Sequence, residues 1–522
     1  MAASPVLTNP VAVDQPSRSI ARLTVRTRSL LSLIALTPAV LLVHGYHPYS
    51  EDAGIYVAGV RKLAAPSLYQ TDAAFVLANT HLSLFAHLLA AVLHVTRMPL
   101  SYLLLLTHLV SIFAFLLACR SLALRIFASP AAQWTAVTLA GAFFTLPLAG
   151  TSLLLMDPYV TARSFSTPLG LFALAAAIDR RWLNTALLLL VTALMHPLMF
   201  IYVAAFVFVF ILIDLDRARL AWTLSILGVA ASAAIYLATM HTPVSAACRQ
   251  AVISRGYLFP SQWAWFEYPG LAVPLLIYAL ALRRLSAHTL PGKLCLAAIM
   301  VGSSAALSAF LFVHPSGSYF LARLQLLRSF HLIYLVGIIL LGGFIGSYLT
   351  DHPGEILPAR VRRWTVFAVL AAAALAMFFS QRLTYPLSAH IEFPRAVPRN
   401  PWERAFLWIR ANTPAGAIFA ANPDLVLLDG EDGQGFRVMT ERSLLGDYKD
   451  EGVVVDFPQL AERWALQYNA QRGLDRMTDA ERLARLQPLG VNWLLLSAKS
   501  ATSFSCPYRN SVSQVCRLTA GK

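Results

Sequence analysis

Along the first 380 residues, apolar runs repeat with only short polar breaks between them. The runs are Leu30–Gly45, Leu100–Cys119, Trp134–Gly150, Phe165–Ile178, Leu183–Met195, Met199–Ile213, Leu220–Thr239, Leu271–Leu282, Leu294–Val313, Leu332–Leu349 and Trp364–Phe379. Several approach the roughly 20 residues that carry a helix across a bilayer. In lipid a helix satisfies its own backbone polar groups without closing a barrel, and the ten-residue alternation of barrel strands is absent. The pattern predicts a polytopic α-helical membrane protein with about eleven spans.

Leu84–Val95 is apolar as well, but it is short and carries His87 and His94. That suits an interfacial or re-entrant helix. With this segment not crossing, the basic N-terminus (Arg18, Arg22, Arg26 and Arg28) falls on the cytoplasmic side. So do the loops bearing Arg120/Arg125, Arg180/Arg181, Arg217/Arg219, Arg283/Arg284/Lys293 and Arg360/Arg362/Arg363. This is the positive-inside distribution. It predicts a cytoplasmic tail over 1–28, a transmembrane region over 29–380 with a long first external loop at 46–99, and an external, periplasmic unit over 381–522. Met1–Thr27 has no small-residue cleavage site before its apolar run and is not read as a signal peptide.

From Asn400 the pattern shortens and begins to alternate. Asn400-Pro401 reads as a helix start, with Trp402, Phe406 and Ile409 on one face. Ala417–Ala421, Leu425–Leu428, Phe436–Met439, Val453–Phe457 and Val491–Leu496 read as strands. Pro458–Arg472 reads as a helix, and Thr478-Asp-Ala-Glu481 as a capping box opening another. A small C-terminal α/β domain is expected. Cys506 and Cys516, ten residues apart, are disulfide candidates in the oxidising compartment this topology gives them; unpaired thiols fit the spacing too.

Composition supports the class. The chain is 57% hydrophobic and 13% charged, against about 25% charged in ordinary globular domains. The net charge of +15 raises nucleic acid as a partner. Arginine on cytoplasmic loops facing anionic lipid accounts for that charge without it, so the expected partners include membrane lipids and no nucleic acid. Asp429-Gly-Glu-Asp-Gly-Gln-Gly435 is acidic, lacks lysine and matches neither nucleotide fingerprint. It reads as a turn.

Candidate chemistry concentrates outside. The first external loop opens His47-Pro-Tyr-Ser-Glu51-Asp52-Ala-Gly-Ile-Tyr56, and the apolar spacing of Ile55, Val57 and Leu63 predicts an amphipathic helix at the membrane surface, with Arg61 and Lys62 at headgroup level. Carboxylates there meet a lipid-borne and a soluble substrate alike; helix capping by Ser50 or Asp52 is the plainer role. Asp157 and Arg163 lie in the second external connection, and Arg323 and Arg328 precede a span. Arginine suits phosphate recognition; binding ordinary lipid headgroups is the plainer role. His196 and His331 stand at span ends, and no His/Asp/Glu cluster has metal-ligand spacing.

These features resemble the GT-C superfamily of polyprenyl-phosphate-sugar glycosyltransferases. Asp52 with Tyr56 resembles the start of that family's first external loop. Ala65-Pro-Ser-Leu-Tyr69-Gln-Thr-Asp72 resembles a stretch in bacterial members, as do Arg163 opening a span, Met195-His196-Pro197 closing one, and Trp402…Trp408-Ile-Arg-Ala-Asn-Thr-Pro414. Where several members carry Lys/His-Pro-Pro-Leu, this chain has Asn79-Thr-His81-Leu. The resemblance implies an inverting glycosyltransferase of the bacterial inner membrane with a polyprenyl-phosphate-linked sugar donor and a lipid or glycan acceptor. It implies Asp52, Glu51 and Asp157 as catalytic candidates, Arg163, Arg323, Arg328 and His331 at the carrier phosphate, and Tyr56 and His196 lining the site. No cofactor is required; an external aspartate pair could bind a divalent metal, but nothing calls for one. The alternatives are a non-catalytic assembly factor on the same scaffold and a transporter, the latter disfavoured because charges gather at span ends rather than at the midplane.

Overall fold

The structure, a computed structural model, describes residues 16–351, 358–428 and 430–519. The first part of the expected N-terminal tail and Asp429 lie outside them. The helices in chain order are α1 Pro16–His44, α2 Ala53–Ala64, α3 Ala73–Ala78, α4 Phe85–Thr96, α5 Leu100–Ile126, α6 Pro130–Ala142, α7 Arg163–Ile178, α8 Trp182–Met195, α9 Pro197–Asp214, α10 Ala218–Thr239, α11 Ala246–Ile253, α12 Pro269–Leu282, α13 Leu290–Phe312, α14 Tyr319–Arg323, α15 Phe330–Asp351 and α16 Ala359–Thr384. In the C-terminal unit follow α17 Pro401–Asn412, α18 Phe436–Thr440, α19 Tyr448–Asp456, α20 Ala461–Gln471 and α21 Asp479–Leu486.

Every apolar run of the sequence contains a helix. Among the described residues, eight helices are long and apolar enough to cross a membrane, or up to nine if one bent pair is a single span. The expected count of about eleven is higher than this: α7 and α8 are shorter apolar helices, and α6 stops at Ala142. Beyond α6 the chain turns into a small antiparallel hairpin, β1 Pro147–Leu148 with β2 Leu153–Leu154. The bent pair is Ala73–His81 with α4, meeting at 103°, so this segment is not one straight span.

The bundle is held by close packing. Gly342 and Gly346 of α15 lie against the backbone of α6, where an added Cβ would stand 2.7 Å from the Ala136 Cα and 2.5 Å from the Ala132 Cα. Small residues let helix backbones approach in this way. At one end, Arg125 pairs with Asp179 (2.5 Å), and Asp214 takes both Arg180 (2.9 Å) and Lys293 (2.9 Å). Arg163 starts α7 and Asp179 follows its end, so these pairs mark the end of the bundle opposite Arg163.

The C-terminal unit is a five-stranded mixed sheet in the order β4-β3-β5-β7-β6. Its strands are β3 Ile418–Ala421, β4 Ser443–Leu444, β5 Trp493–Ser497, β6 Tyr508–Arg509 and β7 Ser513–Arg517. β3 runs parallel to both β4 and β5, and β7 antiparallel to β5 and β6. Asn400 caps α17 by accepting from the Trp402 N–H (2.9 Å). Cys506 and Cys516 form a disulfide. Three expected strands are corrected. Leu425–Leu427 is a 3-10 turn, and Phe436–Thr440 and Tyr448–Asp456 are helices. The β-branched run Val453-Val454-Val455 suggests a strand. The Asp447–Asp450 capping box decides for helix instead.

Two anchors join this unit to the first loop. Arg437 of α18 is buried between Asp72 (2.5 Å) and Asp450 (2.6 Å), and the Tyr69 hydroxyl donates to the Arg437 carbonyl (2.7 Å). The Tyr69…Asp72 stretch is therefore a docking clamp. The helix α2 also departs from expectation. It does not present its apolar face to lipid; Val57, Ala58 and Val60 are buried in a cluster with Phe85 and Leu89 of α4. Arg61 pairs with Glu441 (3.1 Å), and Lys62 donates to the Pro66 and Leu68 carbonyls. Protein contacts replace the headgroup contacts that amphipathicity suggested.

Candidate active site

A cavity of about 730 Å3 opens between the membrane helices and the C-terminal unit. Glu51, Asp52, Tyr56, Asp157, Arg163, His196 and Arg328 all line it. These residues come from four separate stretches of chain.

The turn before α2 supplies the acids. Glu51 has a left-handed backbone, φ 48°, a conformation that costs energy in a non-glycine residue. It is held there by Gln434, whose side-chain N–H donates to its carboxylate (3.3 Å), and by Lys449. The adjacent Asp52 bonds Arg163 Nη1 (3.1 Å) and lies 3.5 Å from Lys449 Nζ. Asp157 accepts from Arg163 Nε (3.2 Å) and Nη2 (3.0 Å), and from the Thr161 hydroxyl (3.2 Å). One guanidinium thus bridges two carboxylates.

The two aspartates differ in access. The Asp52 side chain is 37% exposed and that of Asp157 3%, so only Asp52 can meet a substrate. Burial would raise the Asp52 carboxyl, but the charges of Lys449 and Arg163 outweigh it and hold the group well below the usual carboxylate range. For Asp157 burial wins over Arg163 and pushes the carboxyl up.

The far wall is basic. Arg255 stacks over the Tyr448 ring (3.8 Å) and pairs with buried Glu451 (3.1 Å). Arg328 lies over the Tyr257 ring (5.3 Å) and donates to the Thr151 carbonyl (3.3 Å). Among the described residues Arg328 has no carboxylate within ion-pair distance, so its charge is available to an anion. His196 caps α9, its Nδ1 accepting from the Met199 N–H (3.4 Å). That bond leaves the proton on Nε2.

Two expected carrier-phosphate residues lie off the cavity. Arg323 points to Cys248 Sγ (3.8 Å), because Gln325 between it and Arg328 takes a left-handed backbone, φ 47°, and turns the two arginines apart. His331 is buried in α15, with Nε2–H donating to the Leu155 carbonyl (2.8 Å). It fastens the floor of the site.

Sequence reasoning missed Lys449, Asp456, Tyr448 and Arg255, which also line the cavity. The first three ride on α19, a helix read as part loop, part strand. Burial raises Asp456, opposed by Arg328 and Arg323. Among the described residues no group of three or more His, Cys, Asp or Glu could hold a metal ion; Asp52 and Asp157 share Arg163 instead.

The fold has a counterpart among solved structures. The archaeal oligosaccharyltransferase AglB from Archaeoglobus fulgidus, in complex with an inhibitory peptide and a dolichol-phosphate, superposes with a TM-score of 0.50 at 11% identity, covering 91% of this chain and 70% of that one. A second structure of the Archaeoglobus fulgidus oligosaccharyltransferase, in the apo form, gives 0.45 at 11% identity over 90% and 70%. The chain is thus a multi-span helical membrane protein with an AglB-like fold and a small C-terminal mixed sheet. Residues 400–469 match DUF6798, a domain of unknown function. No curated protein matches the chain in sequence.

Proposed function

We propose that this protein is an inverting glycosyltransferase that moves a sugar from a polyprenyl-phosphate carrier to a lipid or glycan acceptor, at the outer face of a bacterial inner membrane. The reading rests on one observation. An open carboxylate, Asp52, and a guanidinium with no carboxylate partner among the described residues, Arg328, face a single cavity large enough for a sugar.

The chemistry asks little of the protein. Polyprenyl phosphate is already a good leaving group, so no general acid is needed. The acceptor hydroxyl forms the new bond to the anomeric carbon as the carbon–phosphate-oxygen bond breaks, and the electron pair departs on the phosphate. Asp52, held ionised, accepts the hydroxyl's hydrogen bond, orients its attack and takes the proton as the new bond forms, passing it on to the departing phosphate or to water. Arg328 steadies the charge growing on the phosphate. Asp157 is a positioning residue that fixes Arg163 and through it Asp52. A groove of about 290 Å3 between α4 and α5, lined by Leu88, Val92, Leu106, Phe165 and Met195, is almost wholly apolar. Phe165 and Met195 lie close in the chain to Arg163 and His196, which suits a polyprenyl tail whose phosphate enters the cavity. The basic loops at the bundle's opposite end suit a cytoplasmic face, and the Cys506–Cys516 disulfide suits an oxidising one for the C-terminal unit.

The test is transfer from a synthetic polyprenyl-phosphate sugar by the reconstituted full chain. Asp52→Asn should abolish it with fold and expression intact, and full activity in that variant would sink the role given to Asp52. A chain that turns over no lipid-linked donor, yet gives a glycan defect on deletion, is the assembly factor instead.

A further inference from the structure

A second cavity lies behind the Glu51–Asp52 turn. It encloses about 410 Å3 between Tyr49 of the first loop, Arg61 of α2, Leu100 at the start of α5, Glu403 of α17 and the strap at 389–399. Leu100 begins a membrane-length helix, so the cavity stands at the bilayer surface. Phe393 and Val397 of the strap are 55% and 86% exposed. Large apolar residues left bare at that level are where a protein meets acyl chains.

The charges of this cavity do not pair with one another. Arg61 and Arg410 are both satisfied by Glu441, at 3.1 and 2.9 Å. Arg395 lies over the Tyr102 ring (5.5 Å). Neither it nor Arg399 has a carboxylate within 4 Å among the described residues. Glu403 is buried, and Glu392 has His47 Nδ1 at 2.7 Å. No lysine or arginine among the described residues comes within 4 Å of either glutamate. Glu392 and Glu403, hydrogen-bonded to each other and with no lysine or arginine beside them, therefore share one pocket with two rim arginines that have no carboxylate. Acidic groups without a cation and arginines without an anion match a ligand that brings one charge of each sign.

We propose that this cavity binds the headgroup of an aminophospholipid, with the ammonium on Glu392 and Glu403 and the phosphate on Arg395 and Arg399. A primary ammonium has three N–H donors, enough for both carboxylates. Arginine's planar donors match a phosphate. A choline headgroup has no N–H, and a glycerol headgroup has no cation. The strap's Phe393 and Val397 contact the acyl region. The inference rests on this cavity alone and holds whether or not the chain transfers sugars.

The empty pocket carries a signature. Burial raises Glu392 to about 8. Burial, with Glu392 beside it, raises Glu403 to about 9. Burial lowers His47 to about 3. The other titratable groups facing the pair are Tyr46, Tyr49, Tyr385 and Asp432. Near neutral pH the glutamates hold protons, and an arriving ammonium displaces them. Lipid binding therefore releases protons.

The full chain in detergent, offered phosphatidylethanolamine, phosphatidylcholine and phosphatidylglycerol of matched acyl chains, should retain the first roughly tenfold better by native mass spectrometry. Calorimetry near neutral pH in buffers of different ionisation enthalpy should report proton release with that lipid. Glu392→Gln with Glu403→Gln should erase both effects, while Arg399→Ala weakens all three lipids. Equal retention of phosphatidylcholine by the unaltered chain overturns the proposal, whatever the fate of the variants. So does displacement of the lipid by soluble phosphoethanolamine, which would name a soluble zwitterion as the occupant.

Discussion

Lys449, on a helix of the C-terminal unit, stands 3.5 Å from Asp52, in the loop after the first membrane helix. This pair closes the candidate active site across the boundary between the two parts of the chain. It also keeps Asp52 ionised. In Lys449→Met one of the three cations that depress the Asp52 carboxyl, the others being Arg163 and Arg328, is gone, and the group moves up toward its ordinary range. The acid limb of the pH profile of kcat/KM should shift upward by about one unit or more. A limb that stays in place would show that the ionised Asp52 does not govern turnover.

Arg328 and Arg323 make a paired test of the phosphate grip. Arg328→Ala should lower kcat by about 10²–10³-fold, the usual cost of one lost donor to a developing anion. Arg323→Ala should leave transfer at the level of the unaltered chain, since Arg323 faces Cys248. Equal losses in both variants would mean that the two arginines act through the fold.

The clamp at Arg437 predicts a stability effect. Arg437→Met leaves Asp72 and Asp450 buried without their cation, at a cost of about 3–5 kcal/mol. Hydrogen exchange should quicken over α18 and α19, while α5 and α15 stay protected. Unchanged exchange at α19 would place the docking energy elsewhere.

The buried glutamates predict a pH dependence with a definite sign. Folded, Glu392 and Glu403 hold protons up to about 8 and 9, from ordinary values of 4.5. In that interval the folded state binds more protons than the unfolded one. Their contribution is thus full below about 4.5 and is lost as pH rises through 8 and 9. The midpoint of thermal unfolding should fall across that window for the lipid-free chain, and Glu403→Gln should flatten the fall. An equal slope in the variant would mean that Glu403 is not held protonated.

The sequence revealed the membrane part well, because the length of an apolar run answers directly to bilayer thickness. It also pointed to Asp52, Asp157, Arg163 and Arg328, whose placement at the ends of apolar runs is a local property. What stayed hidden depends on contacts between distant segments. Lys449 is one charged residue among many until α19 brings it over Asp52, and its three valines argue for the wrong element. The pattern Asp447-x-x-Asp450 was the available signal for that helix. The separation of Arg323 from Arg328 rests on one left-handed residue, Gln325, which no periodicity announces. Arg61 and Lys62 are basic residues on an amphipathic helix, and only the packed structure tells protein partners from lipid ones.

The sheet order carries a consequence for how the two parts of the chain are coupled. β3 lies between β4 and β5, and the segment joining β4 to β5 carries the helix that bears Lys449. Strand pairing therefore anchors both ends of the stretch that sets a cation beside Asp52. The C-terminal unit is a latch on the acidic turn, and loosening its sheet loosens the charge balance in the cavity.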